Sequence, residues 1–220
     1  DALFLGRHVG PDAWAAVTLM FPGYMMIVAL ATLVSSGMSS ILARQLGAGN
    51  VTAARDVFAG AHGLACALGG LLIIAFALGG HALALMAAGG QADIAALGAI
   101  YMRITVLASP LVFVLSVNSD ALRNEGRAGF MAAISLLVSV ANIGFNYVLI
   151  VGLDWGVAGS AYGTVLAQAL ALAIITGFRV LGDTTLRPTA LIAPAAWRSG
   201  WGRVLALGAP QSLNFLGIAL

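Results

Sequence analysis

Residues 57–92 decide the fold of this chain, and they read VFAGAHGLACALGGLLIIAFALGGHALALMAAGGQA. The stretch runs for 36 residues without an Asp, Glu, Lys or Arg. A helix needs about 20 largely apolar residues to cross the hydrocarbon core of a bilayer. A helix at the surface of a soluble protein would need a polar face toward water. The stretch therefore predicts a transmembrane helix.

Further apolar windows lie on both sides of this stretch, and short connections join them. They are residues 13–43, 93–119, 128–153 and 155–178, and another window begins near Val204. Hydrophobic residues make up 61% of the 220 residues and charged residues 8%, against about 25% charged in soluble domains. The sequence therefore predicts an all-α fold, a polytopic transmembrane helical bundle.

Charge and motif content exclude several other classes of function. The net charge is +2 without a basic cluster, so no nucleic-acid partner is expected. A single cysteine, Cys66, excludes an internal disulfide framework. The three histidines are scattered along the chain and do not have the spacing of metal ligands. We therefore predict no cofactor, no metal site and no catalytic residue.

Arginine distribution predicts the orientation of the bundle. Eight of the ten arginines lie in the connections 44–56, 120–127 and 179–203, whereas Arg7 and Arg103 lie on the opposite side. Short cytoplasmic loops carry an excess of basic residues. We therefore expect these three connections to be cytoplasmic and the segment before the first window to lie outside.

The remaining ionisable residues lie near the ends of the predicted helices. Asp120, Glu125 and Asp154 fall in connections, where we expect their carboxylates to be solvated. His62 falls near the cytoplasmic start of its helix and is expected at the interface.

Two predicted helices each have a polar stripe. Ser139, Asn142 and Asn146 follow each other at intervals of three and four residues, and Thr164 and Gln168 are four apart. At 3.6 residues per turn each set lies on one helix face, and the tight connection between the windows places the helices side by side. The stripes either join the two helices or line a wet cavity; we expect Asn142, Asn146 and Thr164 to line a cavity.

Several segments, in order and at matching spacing, make the chain resemble the MATE (multidrug and toxic compound extrusion) transporters. They are GMSSILARQLGAGN at 37–50, ALRNEGR at 121–127, NIGFNYVLI at 142–150, GLDWGVAGSAYGT at 152–164 and LGAP at 207–210. The resemblance extends over nearly the whole chain.

The resemblance implies a twelve-helix, two-lobe transporter that exports cationic or amphipathic compounds in exchange for H⁺ or Na⁺. Asn142 and Thr164 match positions that bind the coupling ion in some members, whereas Asn146 stands where those members carry Asp. Ser139 and Gln168 complete the predicted ion- or substrate-binding set. We expect a monomer when full length, in the bilayer of the bacterial inner membrane.

The resemblance also implies how the chain divides. Residues 1–178 would be helices 2 to 6 of the first lobe, residues 179–203 the cytoplasmic linker between lobes, and residues 204–220 the start of helix 7 in the second lobe. Trp197 and Trp201 in the linker predict a segment at the membrane interface.

Two alternative functions remain open at this point. A related lipid-linked oligosaccharide flippase or polysaccharide exporter would have an equally apolar bundle, but it would need several cationic residues in its cavity to hold a pyrophosphate. The other alternative is a membrane subunit that transports nothing.

The arginine asymmetry predicts which introduced cysteines an external reagent reaches. Cysteines at Gly49, Gly126 and Thr189 should react only with reagents that enter the cytoplasm, whereas cysteines at Asp12, Gly90 and Asp154 should react from outside. Labelling of Gly126→Cys by an impermeant external thiol reagent would reverse the orientation.

Overall fold

The structure is a computed structural model that describes residues 2–182, 184–187 and 194–219. Position 189, one of the sites chosen above for labelling, lies outside the described residues, as does much of the predicted linker.

Helices account for most of the described residues. Nine α-helices occur in this part of the chain, together with a π-helical turn at Tyr147–Gly152 and a 3₁₀ turn at Pro194–Arg198. The α-helices are α1 (Ala2–His8), α2 (Pro11–Leu19), α3 (Phe21–Gly47), α4 (Val51–Ala87), α5 (Ala92–Leu107), α6 (Ser109–Asn124), α7 (Ala128–Asn146), α8 (Gly156–Leu181) and α9 (Trp201–Ala219).

Helix lengths and composition confirm a polytopic helical bundle. Among the described residues, four helical segments are long and apolar enough to cross a membrane, and α5 and α6 form a fifth span if the bent pair is counted as one. The four segments are Phe21–Gly47, Val51–Gly80, Ala128–Gly152 and Gly156–Leu181.

Prolines break two of the predicted windows. Pro22 stands in the first turn of α3, so the window 13–43 divides into α2 and α3. Pro110 stands in the first turn of α6, and α5 and α6 meet there at an angle of 47°. Proline suits a first helical turn but clashes with the preceding turn of a continuous helix. The window 93–119 is therefore a broken helix.

The segment before the first window, expected only to lie outside, contains helix α1. Its Leu5 is fully buried and belongs to the same apolar cluster as Ile150 and Val157. The Phe4 ring also lies edge-on to the Tyr147 ring, with centroids 6.5 Å apart. Helix α1 is therefore part of the bundle rather than a polar extension.

Helices α3 and α9 approach each other through reciprocal glycine contacts. A Cβ atom added at Gly37 would collide with the carbonyl of Val204, and one at Gly208 would collide with the carbonyl of Leu33. The Ser212 hydroxyl donates to the carbonyl of Ala29 at 3.0 Å, which joins the same two helices. Small residues let membrane helices pack backbone to backbone in this way.

The segment before α9 packs against α4. The carbonyls of Trp197 and Ser199 occupy the space that side chains at Gly63 and Gly60 would fill. The Trp201 indole N–H donates to the carbonyl of Gly60 at 3.0 Å. Trp197 and Trp201 therefore hold this segment to α4, and its place at the membrane interface stays a prediction.

A buried ion pair fixes the start of the predicted linker. Arg179, near the end of α8, donates to Glu125 Oε2 at 2.8 Å and to the carbonyl of Leu186 at 2.6 Å. The other carboxylate oxygen, Oε1, accepts the backbone N–H of Leu186 at 2.8 Å. The side chains of Arg179 and Glu125 are 2% and 3% exposed. One carboxylate thus holds both the end of α8 and the chain that follows it.

The prediction that Glu125 is solvated is therefore wrong. Sequence position placed it in a polar connection, but the chain after α8 folds back over it, and Leu186 is itself fully buried. Asp154, by contrast, is exposed as expected. The Asp120 carboxylate is 23% exposed and pairs with Arg123 at 2.9 Å.

Glu125→Gln should strongly destabilise the protein, because it leaves the Arg179 guanidinium buried without its counter-charge. Removing one partner of a buried pair costs about 3–5 kcal/mol in the free energy of unfolding. The melting temperature of the detergent-purified protein measures the effect. Asp120→Asn is the matched control, since it breaks an exposed pair at a cost of about 1 kcal/mol or less. Equal melting temperatures for the two variants would contradict this account.

Candidate functional site

The candidate site lies between α7 and α8, which run antiparallel across a short turn. Asp154 and Gly156 both have φ of 54°, in the left-handed region, and they reverse the chain between the two helices. The turn sets the polar stripe of α7 against the polar stripe of α8, as the sequence predicts.

A chain of hydrogen bonds crosses this helix pair. Asn146 Nδ2 donates to Asn142 Oδ1 at 3.1 Å, and Asn142 Nδ2 donates to Thr164 Oγ1 at 3.3 Å. The Thr164 hydroxyl donates to the carbonyl of Ser160 at 3.3 Å, within α8. Asn146 is fully buried, and Asn142 and Thr164 are partly buried. The structure therefore brings these three predicted residues together. We name them the polar chain.

Two glycines on α8 make room for the polar chain. A Cβ atom at Gly163 would collide with Oδ1 of Asn146, and one at Gly159 would lie 3.1 Å from the carbonyl of Leu149. The G-x-x-x-G pair thus allows close packing and lets a full amide fit between the helices.

The backbone of α7 changes its hydrogen-bond pattern directly after Asn146. The π-helical turn begins at Tyr147 and continues to Gly152. Short π-helical segments occur frequently at functional sites because they re-aim neighbouring side chains. The hydrophobic pattern of the sequence contains no signal for this turn.

Ser139 and Gln168 lie outside the polar chain. Ser139 is exposed, and its hydroxyl donates to the carbonyl of Ser135 at 2.9 Å, within its own helix. Gln168 is partly buried one turn beyond Thr164. Their place in a binding site stays a prediction.

A second buried polar cluster, which sequence reasoning missed, joins α4, α6 and α8. Asn118 Nδ2 lies 2.9 Å from His62 Nε2 and donates to the carbonyl of Val114 at 2.9 Å. His62 Nδ1 lies 2.9 Å from the carbonyl of Phe58, and Arg179 donates to the carbonyl of Asn118 at 3.3 Å. The pattern suits a neutral imidazole whose Nδ1–H donates and whose Nε2 accepts.

His62 is therefore buried between helices rather than exposed at the protein surface; it is 5% exposed. Its partner Asn118 lies 56 residues away in sequence. Helical spacing on α4 alone contains no signal for that contact.

A hydroxyl-rich cavity of about 470 Å³ opens between α3, α6 and α9. Its polar lining residues are Thr32, Ser35, Ser36, Ser116, Ser119, Asp120, Arg123 and Gln211. Arg123, the one cationic residue among its described lining, is paired with Asp120. The cavity therefore offers hydrogen-bonding groups and a carboxylate without an unpaired positive charge.

Comparison with known proteins identifies the family. The MatE family model matches residues 1–148. An FAD transporter of Shewanella oneidensis is 25% identical over 97% of this chain and 47% of its own length. The probable multidrug resistance protein YoeA of Bacillus subtilis is 28% identical over 74% of this chain and 36% of its own length. The multidrug export protein MepA of Staphylococcus aureus is 28% identical over 76% and 37%.

Solved transporters have the same fold as this chain. An inward-facing multidrug resistance MATE family transporter of the MOP superfamily superposes with a TM-score of 0.88 at 26% identity, covering 99% of this chain and 49% of its own. An outward-facing one superposes with 0.87 at 27% identity, covering 99% and 48%. The chain thus spans less than half the length of these relatives. The family-model match over residues 1–148, supported by the fold, shows that the chain belongs to the MatE family of MATE transporters.

Proposed function

We propose that the protein containing this chain exports small cationic or amphipathic compounds in exchange for H⁺ or Na⁺, by alternating access. The observation that carries the proposal is the polar chain, Asn142, Asn146 and Thr164, between two helices that are long and apolar enough to cross a membrane. Polar groups held within membrane spans commonly mark ion and substrate pathways. Two of the relatives above are described as multidrug resistance or export proteins.

The chemistry of the polar chain favours binding through neutral oxygen atoms. Amide and hydroxyl oxygens are suitable ligands for hard cations such as Na⁺, and they do not take up a proton near neutral pH. Asn146 stands where some family members have an Asp. We therefore propose that Asn142, Asn146 and Thr164 contact Na⁺ or a polar group of the substrate rather than acting as the proton acceptor.

The hydroxyl-rich cavity between α3, α6 and α9 is the proposed chamber for the substrate. Its hydroxyls and the Asp120 carboxylate suit a cationic or hydrogen-bonding compound. A pyrophosphate-linked substrate would need unpaired cationic groups, and Arg123 is already paired with Asp120. The cavity lining thus favours multidrug export over an oligosaccharide flippase.

We propose that movement of the whole helical unit produces alternating access. The chain superposes on inward-facing and outward-facing relatives with TM-scores of 0.88 and 0.87. Similar superposition on relatives in both states supports movement as one rigid body, which is the general pattern of two-lobe transporters. We propose that residues 1–178 form this unit, in the inner membrane, with the connections 44–56, 120–127 and 179–203 cytoplasmic.

Resistance and uptake assays in an efflux-deficient bacterial host test the proposed function. Cells that express the full-length protein should tolerate higher concentrations of organic cations and accumulate less fluorescent cation than cells without it. Flavin adenine dinucleotide should be tested alongside, because one relative is an FAD transporter. An unchanged resistance profile together with no ion-dependent flux would support a membrane subunit without transport activity.

Asn142→Ala and Asn146→Ala should reduce transport sharply while folding is nearly unchanged. Interhelical hydrogen bonds in membranes average only about 0.6 kcal/mol, whereas hydrogen bonds to a charged ligand contribute about 1.5–3 kcal/mol. We therefore expect at least a roughly tenfold loss of transport, with a small change in melting temperature.

Asn124→Ala is the matched control for these variants. Asn124 Nδ2 donates to the Ser39 hydroxyl at 2.7 Å, which is also an amide–hydroxyl bond between helices but lies outside the polar chain. The control should transport normally. If Asn142→Ala, Asn146→Ala and Asn124→Ala each lose transport only in proportion to their loss of folded protein, then Asn142 and Asn146 merely join α7 to α8.

A further inference from the structure

A second cavity, of about 390 Å³, lies where α3 ends and α9 begins. Arg44, in the last turn of α3, and Arg203, near the start of α9, both line it, and Gln45 adds an amide. Ile41, Ala206 and Leu207 form the rest of its lining. The cavity is therefore cationic on one part of its wall and apolar on the other.

Neither arginine has a carboxylate partner in the part of the chain that the structure describes. The ion pairs found there are Arg123–Asp120 and Arg179–Glu125. The Nε atom of Arg44 donates to the carbonyl of Ser40 at 3.0 Å, which orients its guanidinium. Two guanidinium groups beside one cavity repel each other unless an anion lies between them.

We propose that Arg44 and Arg203 bind the phosphate group of an anionic phospholipid. Planar guanidinium groups match phosphate oxygens with paired hydrogen bonds, and Gln45 adds a neutral donor. The apolar wall, Ile41 and Leu207, favours a lipid over free phosphate, because an acyl chain can pack there and a free ion cannot. Among the described residues, Leu207 is 42% exposed and Ile41 is 5% exposed, so Leu207 forms the accessible part of this wall.

A lipid in this cavity would join α3, in the predicted first lobe, to α9, at the start of the predicted second lobe. Arg44 and Arg203 lie at the same end of the α3–α9 pair, whose backbones meet at Gly37 and Gly208. An anion held by both side chains therefore stabilises the packing of α3 against α9. This role is separate from the binding of a coupling ion or an exported compound.

Melting of the full-length protein in neutral detergent tests the proposal. Short-chain phosphatidylglycerol should raise the melting temperature, whereas short-chain phosphatidylcholine and inorganic phosphate at the same concentration should not. Arg44→Gln and Arg203→Gln should each weaken the apparent affinity for phosphatidylglycerol about tenfold. Both side chains are exposed, so these variants should fold.

Arg198→Gln is the matched control, because Arg198 is an exposed arginine of the neighbouring 3₁₀ turn and does not line the cavity. Arg198→Gln should show the same rise in melting temperature with phosphatidylglycerol as the unaltered protein. The lipid site is refuted if phosphatidylglycerol has no effect or if phosphatidylcholine acts equally. An equal effect of inorganic phosphate would indicate a free-anion site instead. If Arg198→Gln weakens the apparent affinity for phosphatidylglycerol as much as Arg44→Gln and Arg203→Gln do, the lipid is attracted to the basic surface in general and not to this cavity.

Discussion

The hydrocarbon core of a membrane contains no water for polar groups, and this constraint organises the whole bundle. Each polar side chain within a span has to find a partner on its own helix or on a neighbouring one. Asn142, Asn146 and Thr164 meet this need through one another. Burial inside the protein imposes the same need at the end of α8, where Arg179 is partnered by Glu125 and by the backbone of the chain that follows. Exclusion of water thus accounts for the candidate site and for the anchoring of the predicted linker.

Hydrophobic windows were sufficient to predict the helical bundle, because a span must be long and apolar whatever its neighbours are. The breaks were harder to predict. Pro22 and Pro110 are visible in the sequence, but whether a proline kinks a span or divides it depends on what packs beside it. Glu125 illustrates the same point: its place between two windows predicted solvation, yet the later chain covers it. Burial of a loop residue is a tertiary property.

The candidate site was predictable in part, for a similar reason. Helical periodicity places Asn142 and Asn146 on one face, and the short turn after α7 identifies α8 as their neighbour, so the contact with Thr164 follows. Periodicity has no information about helices that are distant in sequence. The contact between His62 and Asn118 was therefore missed. The π-helical turn after Asn146 was missed because it depends on backbone hydrogen bonds and not on the apolar pattern.

Flux in proteoliposomes is the direct test of coupled export of an organic cation. The purified full-length protein would be reconstituted into vesicles, a fluorescent organic cation placed on one side, and a Na⁺ or H⁺ gradient imposed in the opposite direction. The organic cation should move in the direction opposite to the flow of the coupling ion, and an ionophore that collapses the ion gradient should abolish this movement. Coupled export would be contradicted if the rate of cation movement were the same with and without either gradient and equal to the rate in protein-free vesicles.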